Sequence, residues 1–322
     1  MRQPDWDDLK VFLAIARSES LSAAGKLLRL DPATAGRRIA RLEEALGTVL
    51  FARSAQGYAL TEAGQRLVPH AEAAEQAMAG AAEALKSGTG GLTGTVRIGA
   101  PDGCANYLLP QVCAAISDAN PGLEFQIVAL PRVFNLSKRE ADMAIAVSPP
   151  TAGRLSVQKI TDYHLHLAAA TSYLDAAGPV RSREDLRGRR MIGYIPDMIF
   201  DRELDYLSEL GLRTVQLASN SVSVQFMWVR AGAGIGIVHD FAIPSGPGVV
   251  RLLTEDFALR RSFWLIRHAD DRRLERMNRL AEALVRGLRA EVERLESRLP
   301  PEPGGGAAAP AAPSGRDAPS LT

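Results

Sequence analysis

The sequence predicts two folded parts of different class. The first is an all-α helix-turn-helix unit with a two-stranded wing, and the second is a larger α/β domain. Three observations carry this expectation. Two short amphipathic segments and a tight turn precede a hairpin pattern before residue 61. An alanine-rich helical run and a glycine-rich stretch then form a connector. Beyond residue 94, apolar strand runs alternate with helical segments.

In the first helix, Trp6, Leu9, Leu13 and Ala16 space out as a buried stripe, with Phe12 beside it. Ser18 to Ser20 break it. Ser22 is positioned to cap a second helix, with Ala24, Leu27 and Leu28 facing inward. After a turn at Leu30, the stretch Asp31 to Gly47 reads as a third helix with both ends marked. Asp31 caps the first turn, Pro32 takes the position where a missing N–H costs nothing, and Gly47 suits the left-handed close. Ala35, Ile39, Leu42 and Leu46 make its apolar back. Thr34, Arg37, Arg38 and Arg41 share another face with no acid among them. Such a face suits the major groove, where arginine pairs with guanine or holds phosphate; it also describes a solvated surface helix. Val49–Phe51 and Tyr58–Leu60 flank Ala55-Gln56-Gly57 as a wing, with Arg53 and Tyr58 placed to reach a nucleic-acid backbone.

The run from Leu9 to Gly64 resembles the winged helix-turn-helix of LysR-type transcriptional regulators. The matching residues are Phe12, Ser20, Ala24, Leu28, Ile39, Leu42-Glu43, Leu46-Gly47, Leu50-Phe51, Arg53 and Leu60-Thr61-Glu62-Ala63-Gly64, without a gap. Two departures stand out. Gly36 replaces a frequent serine, and Asp31-Pro32-Ala33 replaces a frequent Ser-Gln-Pro. Both bear on base contacts, hence on the operator sequence. Candidate contacts to double-stranded promoter DNA are Ser22, Pro32, Thr34, Arg37, Arg38, Arg41, Arg53 and Tyr58.

From Glu62 to about Lys86, Leu67, Ala71, Ala74, Met78, Ala81 and Leu85 alternate steps of four and three, the rhythm of a coiled-coil seam. The seam serves either a dimerisation helix or packing on its own domain. Pro69 is expected to kink it. Residues 87–94 form a hinge.

Strands are expected at Thr95–Ala100, Glu124–Leu130, Met143–Val147, Leu165–Ala170, Val215–Ala218, Ile235–Val238, Val249–Leu253 and Ser262–Arg267. Helices are expected at Cys104–Asn120, Asp201–Leu210 and Ser221–Ala231, giving mostly parallel strands. The order resembles the effector domain of the same family. Its markers here are Arg97-Ile98-Gly99, Leu109-Pro110, Asn120-Pro121, Ala141-Asp142-Met143-Ala144-Ile145 and Gly232-Ala233-Gly234-Ile235-Gly236. The resemblance implies a two-lobed, periplasmic-binding-protein-like (type 2) fold, one lobe from 95–161 with 241–268 and the other from 162–240. A small-molecule effector is then expected between the lobes, where helix N-termini converge at Pro101, Asp102, Gly103 and at Ser219, Asn220, Ser221. Plain capping by the serines is the alternative. Asp102 would repel an anion, so the effector is neutral or cationic, or else Asp102 points away.

Gly232–Gly236 runs from helix into strand, the reverse of a dinucleotide motif. His164, His166, His239 and His268 lack metal-ligand spacing and read as surface or capped histidines; Phe263-Trp264 reads as core. No catalytic residue, cofactor or metal set is visible, which disfavours an α/β enzyme. Arg272–Leu299 reads as a charged helix packed through Leu274, Met277, Leu280 or Ala281, Leu284 and Leu288, and 300–322 as a disordered tail.

Composition agrees with this reading. The 322 residues exceed one small domain, and 46% apolar with 23% charged content is ordinary for a globular chain. A net charge of +1 leaves nucleic-acid binding to a local patch. Cys104 and Cys113 are expected to be buried small residues in a reducing compartment. With no apolar leader or membrane-length run, the expected location is the cytoplasm, away from membranes. A solute-binding protein would fit the lobes but not the N-terminal unit. The resemblance implies a homo-oligomeric regulator, dimer or tetramer, whose partners are promoter DNA, a small effector and RNA polymerase.

Overall fold

The computed structural model describes residues 4–54, 57–86, 91–129, 141–151, 153–211 and 214–300. The expected hinge, apart from its last residues, and the tail lie outside them.

Helix α1 spans Trp6–Ser18, capped by the Asp5 carboxylate, which accepts from the Asp7 N–H. Helix α2 spans Leu21–Leu28. Ser20 caps it, not Ser22: Ser20 has the extended backbone a cap requires and its hydroxyl accepts from Ala23. Ser22 is already helical and exposed. The turn that follows depends on Gly25, where a Cβ would come within 2.6 Å of the Leu30 carbonyl oxygen. Helix α3 is Pro32–Leu46, with Asp31 at one end and Gly47 at φ 66° at the other. Strands β1 (Phe51–Ser54) and β2 (Gly57–Leu60) form the antiparallel wing, Phe51 opposite Leu60.

The core of this unit gathers Phe12, Ile15, Ala35, Ile39, Leu42, Leu50 and Phe51. Two expectations shift. Burial in α1 centres on Val11–Ile15, while Trp6, Leu9 and Ala16 are half-buried, because α2, α3 and the next helix all pack on α1. Leu27 is 70% exposed; the inward face of α2 is Leu21, Ala24 and Leu28.

Helix α4, Glu62–Lys86, continues through Pro69. Its seam divides. Leu67 and Ala71 pack on the N-terminal core, whereas Met78 is 55% exposed. The Leu85 side chain lies outside the described residues. Arg17 of α1 pairs with Glu75 at 2.8 Å and lies 3.8 Å from Glu72. Glu72 in turn lies 3.8 Å from His268 of the second domain.

That domain continues with β3 (Gly94–Ala100), α5 (Asp102–Tyr107), α6 (Leu109–Asp118), β4 (Leu123–Ala129), β5 (Met143–Ala146), β6 (Leu155–Ala170), α7 (Thr171–Ala177), β7 (Met191–Gly193) and β8 (Leu217–Ala218). It ends with α8 (Val222–Arg230), β9 (Ile235–His239), β10 (Val249–Leu252), β11 (Leu259–His268) and α9 (Glu275–Glu296). The strands form one mixed sheet in the order β4-β3-β5-β11-β6-β9-β7-β8, with β10 also on β6. Parallel pairs lie toward both ends, and the long antiparallel strands β6 and β11 join them. The sheet is therefore mixed rather than mostly parallel. Val249–Leu252, expected with the first lobe, pairs with Leu167–Ala170 in the stretch assigned to the second.

The single helix expected from Cys104 breaks at Leu108, because Pro110 cannot donate back to Asn106 and crowds the preceding turn. The helix expected at Asp201–Leu210 is instead two short 3₁₀ turns. The Asp201 and Asp205 side chains accept from backbone N–H groups two and three residues on, which competes with helix bonds. Helix α9 packs on α6 and β6 and buries Met277, Leu280, Ala281, Leu284 and Leu288. Phe263 is core, and Trp264 is half-buried.

Candidate nucleic-acid interface and interlobe site

The exposed front of α3 is built from its cap outward. Asp31 accepts from the Thr34 N–H at 2.8 Å and from its hydroxyl at 2.5 Å. These bonds hold the Asp31 carboxyl below its usual range. The Thr34 hydroxyl accepts from Arg37 at 2.8 Å. A chain from Asp31 through Thr34 thus steadies the exposed Arg37.

The other two arginines differ. Asp7 and Asp8, on α1, stand beside them. Arg41 grips Asp8 with two charge-assisted bonds of 2.6 and 2.7 Å, and Asp8 is 1% exposed. Arg38 is half-buried with Asp7 at 4.0 Å. A face with no acid among its own residues therefore has acids from its neighbour. Two of the Arg41 donors are committed to holding α1 against α3, although the side chain stays 58% exposed. Pro32 is exposed at the helix start. Tyr58 is half-buried, edge-on to Phe51, with its N–H bonded to the Glu19 carbonyl. Arg53 lies in β1 opposite Tyr58; its side chain is outside the described residues.

In the second domain, all six expected cleft residues come together. Asp102 does not point away. One oxygen of its carboxylate accepts from the Ser221 hydroxyl at 3.0 Å and from the Ser223 N–H and hydroxyl at 2.9 Å each. Its other oxygen accepts from Asn106 at 3.0 Å. Ser221 also caps α8, accepting from the Val224 N–H. Ser219 accepts from the Ser221 N–H, and its carbonyl accepts from Gln225. The positive end of α8 is thus already matched by a carboxylate of the chain itself. Gly103 sits where a Cβ would meet the His239 ring at 3.4 Å and Val222 at 3.2 Å. Pro101, Asp102, Gly103 and Asn220 line what space remains, a cavity of about 20 Å³.

Aromatic rings fill the rest. Tyr163 stacks on Phe263 at 4.1 Å and on His239 at 5.4 Å, and Tyr194 meets Tyr206 edge-on at 5.7 Å. Burial lowers the His239 pKa to about 4, so its ring is neutral near pH 7. His239 is therefore a core residue, contrary to expectation. His166 is also buried, against Asp240 at 2.8 Å, while His164 is a half-exposed partner of Glu296. These rings come from separate strands and turns, so no local sequence signal announces the cluster. Cys104 and Cys113 are buried, and desolvation pushes their thiols up, Cys113 to about 12. Among the described residues, no three His, Cys, Asp or Glu side chains could hold a metal ion, and no helix is long and apolar enough to cross a membrane.

Comparison with known proteins gives two family matches. Residues 6–65 match the bacterial regulatory helix-turn-helix protein, lysR family, and residues 89–289 match the LysR substrate binding domain. The chain is 26% identical over 240 residues to the HTH-type transcriptional regulator PtxR of Pseudomonas aeruginosa, covering 73% of this chain and 76% of that one. It is 26% identical over 272 residues to a probable hydrogen peroxide-inducible genes activator of Mycobacterium avium, covering 80% and 85%. A full-length OxyR variant from Pseudomonas aeruginosa has the same fold, with a TM-score of 0.66 at 19% identity, covering 89% of this chain and 98% of that one.

Proposed function

The chain belongs to the LysR family of DNA-binding transcriptional regulators, and from that premise we propose how its residues divide the work. It is an effector-responsive regulator. In our reading α3 enters the major groove of promoter DNA. Arg37 and Thr34 stand nearest the bases, and Arg38 and the free edge of Arg41 add backbone contact. Ser22, Pro32, Arg53 and Tyr58 steady the flanks. The observation that carries this is the exposed Arg37, braced through Thr34 by the Asp31 cap.

Two copies associate through the later half of α4, where exposed Met78 lies on the seam, and so present two recognition helices. Residues 1–61, 62–94 and 95–268 act as reader, connector and sensor, with 269–299 as a supporting helix. The sensor responds at the Asp102–Ser221–Ser223 junction, where a neutral or cationic effector replaces or uses the carboxylate. RNA polymerase contact and a cytoplasmic setting belong to the same proposal, with no catalytic step.

Gel shifts with fragments of the gene's own promoter at rising salt test the proposal. Binding that falls steeply with salt is expected. Binding absent at low salt, or indifferent to salt, contradicts it.

A further inference from the structure

Tyr194, Leu204 and Tyr206 line the small interlobe cavity and also a second, larger one. This second cavity, about 490 Å³, lies within the second lobe among β7, β9, α8 and the 3₁₀ turns after Pro196. The cleft remnant admits little more than a water, whereas the second cavity has the size of a small-molecule pocket. Its apolar lining includes Ile192, Ile199, Leu207, Val215 and Ile237. An apolar space this large forfeits packing that the core could otherwise make.

Its polar lining comes from Tyr194, Asp205, Tyr206, Ser208 and Gln225. The Tyr206 hydroxyl is buried beside that of Tyr194 and makes no full hydrogen bond. Desolvation raises its pKa, so it stays a neutral donor. Among the described lining residues Asp205 is the charged member, and none is Lys or Arg. Among these residues an anion meets a carboxylate and no cation.

We propose that this cavity binds a neutral, mainly apolar small molecule. The site is separate from the cleft: none of Asp102, Ser219, Asn220 and Ser221 lines it. It shares the tyrosine wall with the cleft, and Tyr206 meets His239 edge-on at 6.1 Å. An occupant therefore presses on the same rings that fill the interlobe space.

Titration of the full-length protein with the neutral naphthyl ketone prodan tests the proposal. Blue-shifted emission saturating at one equivalent is expected. Val215→Phe and Ile237→Phe fill the cavity from different sides, and each is expected to weaken binding about tenfold or more, with circular dichroism checking the fold. At pH 7.5, 2-acetonaphthone should displace prodan about tenfold better than 2-naphthoate. Asp102→Ser, which opens the cleft junction, should leave prodan affinity unchanged. No saturable binding, full affinity in both filled variants, naphthoate competing equally well, or loss of binding in Asp102→Ser overturns the proposal. DNA binding by the same variants reads the regulatory proposal independently.

Discussion

Asp102 reaches from the start of α5 to Ser223 in α8, placing one carboxylate oxygen 2.9 Å from both the backbone nitrogen and the hydroxyl of that serine. The chain thereby supplies its own anion to a helix terminus that would otherwise attract one. Asp102→Ser is expected to cost about 1–2 kcal/mol of stability through lost charge-assisted bonds. It should also strengthen binding of small carboxylic acids. Thermal denaturation and calorimetry on both proteins check this, and a carboxylic acid that binds the wild type more tightly contradicts it.

The Arg41–Asp8 pair ties α3 to α1. Arg41→Ala leaves a carboxylate that is 1% exposed without its main partner. A loss of stability is expected, measured by urea unfolding. Asp8→Asn in the Arg41→Ala background should restore part of it, since the stranded charge is then gone.

Acid should weaken the fold through His239. The unfolded ring takes a proton near 6.5, while the buried ring resists until about 4, despite Asp240 and Asp102 nearby. Between those values the unfolded state binds more protons, so stability falls as pH drops through that window. At about 1.4 kcal/mol per pH unit, the loss across the whole window is about 3.5 kcal/mol. His239→Gln should flatten the dependence in unfolding curves at pH 5 and 7.5; an unchanged slope contradicts the assignment.

Gly36 sits inside α3 with open space around it; a Cβ would meet only Leu21, at 3.8 Å. Gly36→Ala is expected to raise stability by about 1 kcal/mol, visible as a higher melting temperature. A fall in promoter affinity in the same variant would show that the DNA backbone or a base approaches the bare Cα.

The features legible in the sequence are those whose causes lie close along the chain. Asp31, Pro32 and Gly47 mark both ends of α3 within one segment, and Phe51 and Leu60 flank a short turn. The Arg41–Asp8 pair spans 33 residues and the Asp102–Ser223 bond spans 121, so neither has a local signature. The serines at α8 were readable as caps, but that they hold Asp102 depends on how β11 and β6 join the two halves of the sheet and bring α5 to α8. The break between α5 and α6 was readable in principle, since Pro110 forbids a continuous helix. The α4 seam divides: its first half packs on its own domain, as one of the two readings had it, and Met78 is exposed.

Arg37 bears the central claim, and affinity for promoter DNA across a salt series, by fluorescence anisotropy, tests it most directly. Arg37→Ala should bind about tenfold more weakly, with the log–log salt slope reduced by about one or with base preference relaxed, and its melting temperature should match the wild type. Unchanged affinity, slope and preference in a folded Arg37→Ala protein would contradict the placement of α3 on DNA.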